Sequence, residues 1–133
     1  MKKHILLIDD NEELRACLNL LLDGAGFAVS AAANGREALR MLSDQAIDLV
    51  ITDLLMPEME GIETILTIRR EMSRLPIIAM SGGGVVPSNT YLSMALGAGV
   101  VRTFNKPFEF QDLLRAVREL LAACVPLQPQ TLS

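Results

Sequence analysis

Ile47-Asp48-Leu49-Val50-Ile51-Thr52-Asp53-Leu54-Leu55-Met56-Pro57-Glu58-Met59-Glu60-Gly61 runs an aliphatic stretch into a carboxylate and then resumes its apolar character. Residues 47 to 52 read as a short buried strand. A carboxylate set in such packing costs several kcal/mol unless it is solvated, paired or coordinated. Asp53 therefore needs water or a partner, and the rest of the chain shows where a partner would come from.

Short apolar runs alternate with helical patterns along the chain, which argues for parallel strands joined by crossover helices. The strands expected are His4 to Ile8, Phe27 to Ala32, Ile47 to Thr52, Pro76 to Met80 and Val100 to Phe104. Leu14, Cys17, Leu18, Leu21 and Leu22 recur at helical spacing after the first strand, closed by Gly24 and Gly26. Asn34 and Glu37 have the spacing of a capping box and open a helix that buries Ala38 and Leu42. Ile62, Ile65 and Leu66 mark a third helix. The Gly-rich stretch from Ser81 leads loosely into a fourth, from about Ser88 to Leu96. Phe110, Leu113, Leu114, Val117 and Leu121 mark the last. This order predicts an α/β fold, a doubly wound (βα)5 sandwich, whose sites lie at the carboxyl ends of the strands near the reversal of winding.

The 133 residues suit one domain, expected over residues 1–124, with 125–133 a flexible tail or the start of a linker. With 16 acidic against 12 basic residues the net charge is -4, so no broad basic field is available to hold nucleic acid phosphates. The N-terminal apolar run meets acids within a few residues, too soon for a signal peptide or a membrane span. Cys17 and Cys124 suggest neither a disulfide framework nor a metal knuckle, and a reducing cytoplasm is the simplest compartment.

Chemistry collects where the strands end. Asp9 and Asp10 follow the first, Asp53 the third, Ser81 the fourth, and Lys106-Pro107 the fifth. Three carboxylates converging in one crevice repel one another and are driven toward protonation unless a cation sits among them. Magnesium suits an all-oxygen site that supplies few carboxylates. The acid pair would hold the metal while Asp53 attacks, Lys106 would neutralise charge before and after reaction, and the Ser81 hydroxyl would donate to a phosphoryl oxygen. Gly82 and Gly83 would let that group approach the backbone. Taken singly the features are bland: Asp9-Asp10 with Asn11 as cap could simply start a helix, and Lys106 could be a solvated charge. Four successive strand ends carrying acids, hydroxyl and lysine argue for a site.

Those residues, with Asp53-Leu54-Leu55-Met56-Pro57-Glu58-Met59-Glu60-Gly61 and Lys106-Pro107-Phe108, resemble the receiver domain of two-component response regulators from about Lys3 to Ala123. The resemblance implies a flavodoxin-like sheet in the order 2-1-3-4-5 and transfer of a phosphoryl group to Asp53 from a sensor histidine kinase or a histidine phosphotransfer protein. It implies Mg2+ held by Asp10, Asp53 and the Leu55 carbonyl, with Asp9 acting largely through bound water, and a cis peptide before Pro107. The face of the fourth helix, fifth strand and fifth helix would then switch its preference for a downstream protein partner, or for a second copy in a phosphorylation-dependent homodimer.

Two departures stand out. Receivers commonly carry an aromatic three residues before the lysine, where this chain has Thr103. Phe104 is next door, but one step along a strand reverses the side chain's direction. Neither Leu55 nor Gly83 offers a polar group to orient water, which predicts slow self-dephosphorylation, while Gly83 also opens the site. Three other functions compete. A degenerate receiver would act through phosphorylation-independent contacts, against which the intact acids, Ser81 and Lys106 count. A Mg-dependent phosphohydrolase would need a second aspartate where Leu55 stands, and so the chain reads as a signalling domain and not a turnover enzyme. A flavodoxin-like binding module would need a phosphate loop where Asp9 and Asp10 lie.

Overall fold

Five short strands pair in parallel: β1 (His4–Ile8), β2 (Ala28–Ala32), β3 (Leu49–Asp53), β4 (Ile77–Gly82) and β5 (Arg102–Lys106). In this computed structural model, which describes residues 2–54, 60–82, 97 and 100–124, the sheet order is β2-β1-β3-β4-β5. The helices are α1 (Glu12–Gly24), α2 (Gly35–Asp44), α3 (Glu60–Glu71) and a C-terminal helix, Phe110–Cys124. The expected helix from Ser88 to Leu96 with its Tyr91, and the tail 125–133, lie outside the described residues, as do Leu55 and Gly83.

The alternation of strand side chains builds two cores. Leu6, Ile8, Val50, Ile77 and Ala79 pack against Ala38 and Leu42 of α2 and Ile62, Ile65 and Ile68 of α3. Ile5, Leu7, Ile51, Ile78 and Met80 point the other way, against Leu18 and Leu22 of α1 and Leu113, Val117 and Leu121 of the C-terminal helix. A parallel sheet covered on both faces explains why β1, β3 and β4 read as continuous apolar runs. The winding reverses between β1 and β3, which are neighbours, so a crevice opens over their carboxyl ends.

The expected strands exist, but four of the five have different bounds. β1 runs His4–Ile8 as expected, β2 starts one residue late, and β3, β4 and β5 extend past the expected ends to Asp53, Gly82 and Lys106. The hydrogen-bonded register continues through the polar residues, pairing Asp53 with Met80, Ser81 with Asn105 and Gly82 with Lys106. Asp53 and Lys106 are thus the last members of their ladders and Ser81 the last but one, whereas hydropathy alone stops one or two positions before the strand ends.

Helix faces show similar differences. Asn34 Oδ1 accepts from the Glu37 N–H at 2.9 Å, while the Glu37 carboxylate reaches back to the Ala33 N–H at 2.9 Å, one residue beyond the usual reciprocal bond. On α3 the expected Leu66 is 47% exposed and Ile68 takes its place in the core. On α1 only Leu18 and Leu22 are buried. Leu14, Cys17 and Leu21 instead border an apolar groove of about 440 Å3 that Pro107, Phe108 and Phe110 close from the other side. His4 is half-buried, its Nε2 2.7 Å from the Ser30 hydroxyl. No helix among the described residues is long and apolar enough to cross a membrane.

Candidate functional site

Two adjacent central strands deliver the acids. Asp9 follows β1 and is fully buried; Asp53 closes β3 and is 4% exposed; Asp10 is exposed at the rim. Each offers a carboxylate oxygen within 4.8 Å of the others, the hard-oxygen donor set that a small divalent cation requires. Lys106 ends β5 and reaches across β4, placing Nζ 3.3 Å from Asp9 Oδ2 and 3.3 Å from Asp53 Oδ2. One lysine between two nearly buried carboxylates leaves the cluster short of positive charge, and that too favours an added cation.

Asp9 carries that imbalance. Burial pushes its carboxyl above the ordinary carboxylate value of 3.8; the Asn11 backbone N–H pulls it back, Asp53 raises it further and Lys106 lowers it. The Asn11 bond, 2.9 Å to Asp9 Oδ1, belongs to a turn in which Asn11 also caps α1, its own Oδ1 accepting from the Leu14 N–H at 3.0 Å.

Ser81, on β4 between the acid strands and the lysine strand, is fully buried, and its hydroxyl has no hydrogen-bond partner among the described residues. A buried hydroxyl without a partner carries a desolvation cost that an incoming oxygen acceptor would relieve. The Lys106–Pro107 peptide is cis. The structure therefore brings Asp9, Asp10, Asp53, Ser81 and Lys106 to one end of the sheet, with Pro107 at its edge. The Leu55 carbonyl lies outside the described residues.

Thr103 and Phe104 face opposite sides of the sheet. Thr103 registers with Ala79, which belongs to the α2–α3 core. Phe104 registers with Met80 and packs in the α1 core, its ring 5.7 Å from that of Phe108 at a tilt of 51°. Phe104 thus cannot stand in for the aromatic at position 103, as the strand period predicts.

Two contacts were not foreseen from the sequence. The Arg15 guanidinium donates to the Asp9 carbonyl at 2.8 Å. Its spacing from Asp9 was the available signal, because helical side chains lean toward the N-terminus and Arg15 sits one turn into α1. Gly61, in the second position of α3, backs onto the end of β3: a Cβ there would lie 2.6 Å from the Asp53 carbonyl oxygen and 2.9 Å from the Leu54 Cα. The chain signals a glycine there but not what it touches.

Known proteins agree with this geometry. The family model described as the response regulator receiver domain matches residues 5–118. The chain is 33% identical over 123 residues to the transcriptional regulatory protein GlrR of Escherichia coli, covering 92% of this chain and 27% of that protein. It is 34% identical over 125 residues to the transcriptional regulatory protein FixJ of Bradyrhizobium diazoefficiens, covering 94% of this chain and 60% of that one. It therefore spans only part of these relatives. The crystal structure of a CheY-like response regulator receiver domain protein from Methanospirillum hungatei superposes with a TM-score of 0.84 at 25% identity, over 92% of this chain and 96% of that one. Parallel order, acid cluster and family match coincide, and the chain belongs to the response regulator receiver domains of two-component signalling.

Proposed function

We propose that this domain accepts a phosphoryl group on Asp53 from the phosphohistidine of a sensor histidine kinase or histidine phosphotransfer protein, with Mg2+ as cofactor. A carboxylate oxygen of Asp53 attacks phosphorus, the P–N bond breaks, and the leaving imidazole takes up a proton. One observation carries the reading: a nearly buried Asp53 lies in an acid triad, 3.3 Å from one lysine amine and on the strand next to a buried hydroxyl that has no partner among the described residues.

Asp10 and Asp53 would ligate the metal directly, with the Leu55 carbonyl, and Asp9 would act largely through bound water. When bound, the ion supplies charge neutralisation for the entering phosphoryl oxygens. Lys106 holds the two carboxylates together beforehand and afterwards pairs with a phosphoryl oxygen. Ser81 donates its hydroxyl to another. The acyl phosphate would thereby keep Lys106 on β5 and add the Ser81 hydroxyl on β4, which has no partner among the described residues, and differential contact of that kind is what shifts a two-state equilibrium. The output passes to a protein partner or a second copy; the net charge of -4 argues against nucleic acid contact by this domain. The cytoplasm is the compartment this partnership requires.

Intact-mass measurement with acetyl phosphate tests the reading. The wild type should gain one phosphoryl group in Mg2+, and Asp53→Asn should gain none. A chelator should abolish the gain. No gain by the wild type, either from acetyl phosphate or from histidine kinases supplied with ATP, would favour a domain working through phosphorylation-independent contacts.

A further inference from the structure

We infer that Arg15 is a positioning residue of the acid site: its guanidinium fixes the Asp9 carbonyl and, through that peptide plane, the orientation of Asp10. The inference rests on reading Asp9, Asp10 and Asp53 as a divalent-cation site.

The β1 ladder ends at Ile8, and beyond it Asp9 is held at four points. Its N–H donates to the Ala32 carbonyl at 3.1 Å. Its Oδ1 accepts from the Asn11 N–H at 2.9 Å and its Oδ2 from Lys106 Nζ at 3.3 Å. The fourth anchor is Arg15, 2.8 Å from the carbonyl oxygen, short enough for a charge-assisted bond. The Asp9 carbonyl and the Asp10 nitrogen share one planar unit. Pinning the oxygen therefore sets the direction in which the exposed Asp10 leaves the turn.

Arg15 is suited to this by its place in α1. Its own N–H donates to the Asn11 carbonyl at 2.9 Å, the first bond of the helix, so its backbone is fixed. From there the side chain leans back over the preceding turn. A guanidinium presents a rigid planar fork of donors, whereas a lysine amine is a point charge on a flexible stem.

Geometry and charge oppose each other here, which makes the inference decidable. A cation beside the acid cluster repels a divalent ion, so removing it for charge alone would tighten Mg2+ binding. Removing an anchor that orients a ligand weakens binding, and loss of such outer contacts costs about tenfold or more in metal affinity.

Titration calorimetry of the full chain with MgCl2 separates the two. The expected result is about tenfold weaker binding by Arg15→Ala, partial recovery in Arg15→Lys, and a melting midpoint in chelator within a few degrees of wild type. Binding by Arg15→Ala as tight as wild type, or tighter, overturns the inference. Should Arg15→Ala fail to fold, Arg15→Lys decides alone: it keeps the charge and loses the fork, so several-fold weaker binding supports positioning and unchanged binding overturns it. A wild type that binds no Mg2+ removes the metal reading and this inference with it, and that failure is visible before any variant is compared.

Discussion

β3 and β5 each end on a residue of the site, yet they hold it in opposite ways. β3 lies between β1 and β4 and is buried along its whole length, and Gly61 brings the start of α3 directly against its last carbonyl. β5 is an edge strand, exposed at Arg102 and Asn105 and half-buried between. The attacking group of the proposed reaction is thus mounted on the most constrained strand, and the cation that answers it on the least constrained. Chemistry that needs a fixed nucleophile and a movable counter-charge calls for this division, since preorganisation favours the reacting atom while switching needs an element with two positions.

The sharpest way to break the contrast is to truncate one core residue on each strand. Ile51, fully buried on β3, should cost about 4 kcal/mol as Ile51→Ala in urea denaturation. Phe104→Ala, on the half-buried edge, should cost about 2 kcal/mol, because part of its surface is already solvated. Equal losses would mean that β5 is as firmly held as β3.

Next in size is Gly61→Ala. No left-handed backbone is involved, so the penalty is steric: a methyl 2.6 Å from the Asp53 carbonyl must push α3 away from β3. We expect a loss of about 2 kcal/mol and, more tellingly, a phosphorylation rate reduced further than Ile51→Ala reduces it. A well-folded Gly61→Ala protein with wild-type phosphoryl uptake would show that the nucleophile does not depend on this support.

How far the sequence disclosed these features follows from what each depends on. The element order and the converging acids, Ser81 and Lys106 were legible because hydrophobic runs fix the elements and four of the five runs end on polar residues of the site, whereas the sheet order 2-1-3-4-5 followed from the receiver resemblance. The strand ends were misplaced for the same reason: Asp53, Ser81 and Lys106 interrupt the apolar run but not the hydrogen-bonded ladder. The outward position of Leu66 and the open groove beside Leu14, Cys17 and Leu21 were not legible, since helical periodicity marks an apolar stripe and not how much of it a neighbour covers. Arg15 was missed because its contact is to a backbone oxygen, so its spacing from Asp9 shows that the side chain can lean back over the turn but not which atom it meets.

A smaller effect sharpens the electrostatic side of the contrast. Lys106→Met leaves Asp9 and Asp53 facing each other without the cation that now lies 3.3 Å from both. With part of the lysine solvated, the metal-free protein should lose about 1 kcal/mol at neutral pH. Mg2+ should then raise the melting midpoint more in the variant than in the wild type, because the ion no longer competes with the amine. An equal Mg2+ shift in both proteins would place the lysine outside the metal's field.

The smallest expected effect concerns Asp9 and has a definite sign. Burial raises its folded carboxyl above the ordinary value of 3.8, so the native state binds this proton more readily than the unfolded chain does. By linkage, the stability this contributes is fully present below the ordinary value and is lost as pH rises through the raised folded one. At neutral pH the ionised Asp9 is therefore a burden that Asp9→Asn lacks, and Asn can still accept the Asn11 N–H. The metal-free variant should melt a few degrees above wild type at neutral pH, with the difference shrinking toward nothing as pH falls below about 4. Saturating Mg2+ should reverse the order, because the wild-type carboxylate then gains a divalent countercharge in addition to the lysine 3.3 Å away. A difference that persisted unchanged into acid would mean that the gain came from packing and not from relief of a buried charge.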